Sequence, residues 1–161
     1  MNSRQDLVAK RAELKEEIYQ AAILEFSENG MRGASTQGIA DRASISKTKL
    51  HYYISSKEEL YQEVLNKIVG TWEEIYAGVS LENGPEAFFR DYIARKVRYS
   101  LDRPAEVRLF VREVMSGAMR LRNHWMGSRE ATLRAAAEIT KWIDRGQIRE
   151  VHPILLQFHI W

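Results

Sequence analysis

Apolar side chains recur every fourth position at Leu14, Ile18, Ala22 and Phe26, which lines them along one stripe of an α-helix, and Asn29-Gly30 supplies the stop. No stretch alternates polar and apolar residues with the period of two that a half-buried strand needs, so the expected fold class is all-α. Nine glycines and three prolines in 161 residues punctuate long helix-forming runs, and no internal repeat or low-complexity segment interrupts them.

Two short helical patterns lie between Gly30 and Lys57. Neither is long enough to be stable alone, so both must pack on the first helix. Ser35 is placed to cap the first, with Ile39, Ala40 and Ala43 facing inward. The second begins at Ser46 after a Ser44-Ile45 turn, with Leu50 and Ile54 as its buried pair. Three such helices contain a helix-turn-helix. Ser56-Lys57-Glu58-Glu59 is a capping box that opens a long helix through Leu60, Val64, Ile68 and Ile75. Beyond Gly78, Asn83-Gly84-Pro85 starts a helix running to about Leu101, and Asp102-Arg103-Pro104 starts another ending near Gly117. A longer helix is expected from Asn123 to Arg145, stopped at Gly146, and Pro153 begins one that is cut short at Trp161. The expected domains are 1–57, a helix-turn-helix domain with its reading helix at about 46–53; 58–78, a connecting helix; and 79–161, a helical ligand-binding and dimerisation domain incomplete at its C-terminus.

Lys and Arg number 24 against 22 Asp and Glu, a formal charge of +2, so any affinity for nucleic acid depends on where charge sits. Residues 30–57 hold Arg32, Arg42, Lys47, Lys49 and Lys57 against Asp41 alone, a net of +4, while residues 1–70 hold ten basic and ten acidic residues. A charge run often just faces water. Here the helical geometry adds a second argument: about 100° per residue from Leu50 places Thr48 and Tyr52 on the opposite face, flanked by Lys49 and His51. Hydroxyl, ammonium, imidazole and phenol groups suit the edges and walls of a major groove. Ser35 and the amides that open the second helix, with Lys57 at the start of the fourth, would hold the phosphate backbone on either side. Packing against the first helix is the alternative for His51 and Tyr53.

Enzyme chemistry is not encoded. The four histidines, His51, His124, His152 and His159, lack metal-ligand spacing, and there is no phosphate-binding glycine loop or nucleophile elbow. Glu16-Glu17, Glu58-Glu59 and Glu73-Glu74 are adjacent pairs that point to different sides of a helix. With no Cys, no long apolar span and no signal segment, the expectation is a soluble, cytoplasmic protein with no metal, cofactor or membrane partner.

The run Ile18, Ala21, Ala22, Phe26, Gly30, Gly33, Ser35, Ile39, Ala40, Ala43, Ile45, Ser46, Lys47, Leu50, Tyr52, Ile54, Ser56, Lys57, Glu59, Leu60 resembles the tetracycline-repressor (TetR) family of transcriptional regulators in order and spacing. Three positions depart from the family: Ser44 replaces a usual glycine, His51 a tyrosine and Ile54 a phenylalanine. Trp72, Arg108-Leu109-Phe110, Glu113, Gly117-Ala118, Trp142, Gly146, Pro153, Phe158 and Ile160-Trp161 extend the resemblance toward the subgroup of the pyrimidine-utilisation regulator. It implies a homodimer that binds a near-palindromic stretch of double-stranded DNA, most simply as a repressor, and is released or modulated by a small-molecule effector, for which a pyrimidine is the implied class. The candidate DNA-contacting residues are Ser35, Thr36, Gln37, Ser46, Lys47, Thr48, Lys49, His51, Tyr52, Tyr53 and Lys57. The candidate effector residues are Trp72, Tyr76, Arg112, Met115 and Trp161, with Trp72 and Trp161 placed by the resemblance; plain core packing is the alternative for each aromatic. A helical sensor or adaptor that binds a protein partner through the same helices is the competing function.

Overall fold

The computed structural model describes residues 3–122 and 125–160, and every regular element among them is helical, as expected. The helices are α1 Ser3–Gly33, α2 Thr36–Arg42, α3 Lys47–Tyr53, α4 Lys57–Ala77, α5 Gly84–Asp102, α6 Pro104–Met115, α7 Trp125–Asp144 and α8 Pro153–Phe158. The expected start of α7 at Asn123, with His124 and Trp161, falls outside the described residues. The chain gathers into two compact units. The first holds the residues up to Ile68 together with Ala105–Arg120, the second Val69–Pro104 and the residues from Leu121 on.

In the first unit the predicted stripe is buried at Ile18, Ala22 and Phe26, while Leu14 is half-buried. These residues share a core with Ile39 and Ala40 of α2, Leu50 of α3, Leu60, Val64 and Ile68 of α4, and Leu109 of α6. The Phe26 ring meets Tyr61 edge-on at 4.9 Å. Gly30 breaks α1 where the sequence places its stop, at φ 67° and ψ 175°, before a last turn that ends at Gly33. The Tyr61 hydroxyl donates to Glu113 at 3.0 Å, and the Arg120 amide donates to the same carboxylate at 3.2 Å, which holds α6 and its following turn on α4.

Local polar chemistry sets the ends of the short helices. Ser35 Oγ accepts from the Gly38 amide at 2.9 Å, Ser46 Oγ from Lys49 at 3.1 Å and Ser56 Oγ from Glu59 at 3.1 Å. Each such cap contributes about 1 kcal/mol, which is substantial for helices of two turns. α2 ends in a Schellman turn: the Ile45 amide donates to Ala40 O at 3.0 Å and the Ser44 amide to Asp41 O at 3.1 Å. Ser44 therefore occupies the left-handed position, at φ 54°, where a side chain is disfavoured.

The second unit packs Val79, Phe88, Tyr92, Ile139 and Trp142 into a common cluster, with Ile75, Tyr76 and Leu156 against it. Phe88 and Trp142 approach to 5.6 Å and Tyr76 and Tyr92 to 5.4 Å between ring centroids, so most of these aromatics are core. α7 stops in a Schellman turn at Gly146, φ 66°, as the sequence indicates. His152 caps α8, its Nδ1 accepting from the Leu155 amide at 3.3 Å.

The strained Ser44 yields a direct test. Ser44→Gly removes the left-handed penalty at the cost of some backbone entropy, for a net stabilisation of about 0.5–1 kcal/mol. A urea midpoint that rises at unchanged slope is the expected result, and a fall would mean that the serine side chain outweighs its backbone strain.

Candidate nucleic-acid interface

α3 turns Leu50 fully into the core and leaves Lys47, Thr48, Lys49, His51 and Tyr52 exposed, Tyr52 at 74%. The side chains of Lys47, Thr48, Lys49 and His51 make no hydrogen bond or ion pair among the described residues, so they face outward with their polar groups available. Tyr53 is half-buried and its ring lies edge-on to Tyr52 at 5.4 Å. The outward face carries no carboxylate, because none occurs between Asp41 and Glu58.

The flanking candidates are more committed. Ser35 and Ser46 are exposed, but each hydroxyl oxygen already accepts a helix amide. Thr36 is half-buried, and Gln37 is exposed with its amide nitrogen donating to Asp41 at 2.7 Å. Lys57 Nζ donates to Ala34 O at 2.8 Å, which ties the start of α4 to the turn before α2 and leaves two ammonium protons for other acceptors.

The frame behind this face is set by Glu25, which the sequence analysis did not single out. The residue is 6% exposed and its carboxylate reaches both ends of α2. One oxygen accepts the Ser35 amide at 3.2 Å and the other accepts Arg42 Nε at 3.0 Å. Arg42 Nη2 also pairs with Glu28. The hydrogen bonds to Glu25 and then Glu28 raise the guanidinium pKa above its already high value. Arg42, counted in the basic stretch, thus spends its charge inside the domain. Gly38 permits this arrangement, since a Cβ there would lie 2.6 Å from Glu25 Oε1. The available signal was a charged residue two turns after Ile18, on a stripe that is otherwise apolar.

The effector candidates divide between the units. Trp72 is 8% exposed, with its ring edge-on to Tyr99 at 4.6 Å, and the Tyr76 hydroxyl donates to Ala131 O at 3.4 Å, both in the second unit. Arg112 and Met115 belong to the first unit, where Arg112 donates to Glu28 O at 3.4 Å and Met115 is 83% exposed. Lys96, absent from the sequence-based candidates, is buried in the second unit with Nζ 5.2 Å from the Trp72 ring centroid and 5.4 Å from that of Tyr92. Desolvation lowers its pKa to about 8. Burial pushes Tyr76 and Tyr92 up to about 12. No cluster of three or more metal-ligating side chains occurs among the described residues, and none of their helices is long and apolar enough to cross a membrane.

Comparisons with known proteins agree with this geometry. A family model described as bacterial regulatory proteins, tetR family, matches residues 18–64, and one described as YcdC-like protein, C-terminal region, matches residues 65–161. The HTH-type transcriptional regulator RutR of Escherichia coli is 35% identical over 148 residues, covering 91% of this chain and 70% of that protein. The HTH-type transcriptional repressor SCO4008 of Streptomyces coelicolor is 27% identical over 139 residues, 86% of this chain and 69% of that one. Among solved structures, the TetR family regulator PfmR from Thermus thermophilus aligns with a TM-score of 0.70 at 22% identity, covering 86% of this chain and 76% of its own. AibR in complex with isovaleryl coenzyme A and operator DNA aligns at 0.67 and 18%, covering 89% and 81%. The chain belongs to the TetR family: it is a helix-turn-helix transcriptional regulator and not an enzyme.

Two outcomes follow from the buried charges. Gly38→Ala displaces the Glu25 carboxylate from α2 and should lower stability by about 1–3 kcal/mol in urea unfolding, the cost of an unsatisfied buried group. A stability equal to that of the parent would mean that Glu25 moves aside freely. For Lys96 the unfolded chain, with its ordinary pKa of 10.5, binds a proton that the folded chain has released above about pH 8. Stability therefore rises with pH between about 8 and 10. Above pH 10 the folded chain holds the Tyr76 and Tyr92 protons that the unfolded chain loses, and stability falls again. Urea midpoints across this range should show the rise, and Lys96→Met should flatten it.

Proposed function

We propose that the protein is a ligand-responsive repressor that binds a near-palindromic operator as a homodimer. The observation that carries this reading is the capped α3, whose outward face of Lys47, Thr48, Lys49, His51 and Tyr52 is cationic, hydroxyl-rich and without a carboxylate. Thr48, Lys49 and His51 would contact base edges. Ser35, Thr36, Gln37, Ser46, Lys47, Tyr52, Tyr53 and Lys57 would hold the backbone and the groove walls. Two copies related by a two-fold axis would set their reading helices roughly 34–36 Å apart, or a multiple of that, to enter successive major grooves.

The effector reading is supported by the placing of Trp72, Tyr76 and buried Lys96 in the second unit, while Trp161, the further aromatic candidate, lies outside the described residues. We infer a planar small molecule, pyrimidines included, as the class that such rings and a buried ammonium accept. α4 runs from the first unit into the second and is the element through which an effector would bias the spacing of the reading helices. Such a ligand acts only by its difference in affinity for the two spacings. That SCO4008 is named a repressor and AibR was solved with both an acyl-coenzyme A and operator DNA supports a ligand-controlled repressor here.

Selection of duplexes from a randomised library tests the reading. The enriched site should be a near-palindrome, and Thr48→Ala should relax preference at one base position per half-site, about 1–3 kcal/mol of discrimination, without losing overall binding. Uracil and thymine, titrated into the complex, should then be the first ligands assayed for release. No enriched sequence, with binding instead to a protein partner, would favour the adaptor function.

A further inference from the structure

α1 begins fifteen residues before the segment matched to the TetR family, which starts at residue 18. Along that extension the stripe that buries Ile18 and Ala22 continues two turns earlier at Arg11, with Lys15 beside it. Both are exposed. The Arg11 guanidinium lies 5.9 Å from the centroid of the Tyr52 ring, at the C-terminal end of α3, and Lys15 lines a cleft with Tyr19, Tyr53 and Ile54. Neither cation makes a hydrogen bond or ion pair among the described residues. Two carboxylates, Glu16 and Glu63, share the cleft with Lys15; Glu16 pairs with Lys67 at 2.9 Å, and neither makes an ion pair with Lys15, while Asp6, Glu13 and Glu17 project from other sides of the helix.

Residues near the start of a reading helix reach base edges, so its far end sits at the wall of the groove, among phosphates. An arginine whose guanidinium approaches an aromatic ring keeps its five N–H donors, in a fork that matches phosphate oxygens. We propose that Arg11, with Lys15, forms a second, sequence-independent contact of α1 with the phosphate backbone, continuous with the face of α3 and outside the family motif. The proposal rests on the reading of α3 as the groove-binding helix.

The test measures binding of the full chain to a selected duplex and to an unrelated duplex by fluorescence anisotropy, from about 50 to 200 mM salt. Arg11→Gln should reduce the slope of log K against log salt by about 0.9 on both duplexes, and Arg11→Gln with Lys15→Gln by about twice that. Arg11→Lys, which keeps the charge, should retain the parental slope. An unchanged slope in Arg11→Gln overturns the proposal, as does a loss of affinity confined to the selected duplex, which would mean that Arg11 only positions Tyr52. Failure of the parent protein to bind either duplex would instead sink the regulator reading of α3, and this contact with it.

Discussion

A carboxylate on the apolar stripe of α1 holds the helix-turn-helix in register. α2 and α3 have seven residues each, too few to persist without tertiary support. Glu25 supplies part of that support by meeting α2 at both ends, through the Ser35 amide and the Arg42 guanidinium. A buried charge is costly unless its lone pairs are answered, and here an amide at the opening of a helix and a charged partner answer them. Because a tight turn at Ser44 joins α2 to α3, fixing α2 on α1 also fixes the direction of the outward face of α3.

Charge is partitioned rather than massed. Arg42 is spent on Glu25 and Glu28, while Lys57 gives one N–H to the Ala34 carbonyl and keeps its charge, so part of the basic stretch also builds the frame. The side chains of Lys47, Thr48, Lys49 and His51 project from α3 and are not consumed in that way. A chain with a formal charge of only +2 can thus present a locally cationic face to a polyanion while the remainder of the domain stays acidic. Arg11 belongs to the same pattern, since it meets α3 through a ring rather than through a carboxylate.

The second unit handles its aromatics differently. Phe88, Tyr92 and Trp142 fill a core with rings set mostly edge-on or tilted, as apolar packing favours. Trp72 stands apart because a buried ammonium lies against it, and Lys96 is charged in water but desolvated here. Trp72 and Tyr92 thus share a buried cation that Trp142 lacks, a distinction that helical spacing alone does not make.

Helix positions, their serine caps and the Gly30 and Gly146 stops were legible in the residue order, because capping and periodicity act over three or four residues. The outward display of Thr48, Lys49 and Tyr52 was legible for the same reason, once Leu50 was placed inside. The clamp of Glu25 across α2, the need for Gly38, the bond from Lys57 to Ala34, the burial of Lys96 and the approach of Arg11 to the Tyr52 ring were not. Each joins residues that are distant in sequence or depends on what surrounds them. Local order thus determined which helices form and which face of each is apolar. Only tertiary packing decided which charges are neutralised within the domain and which remain exposed on α3, because that depends on the separation of side chains in space.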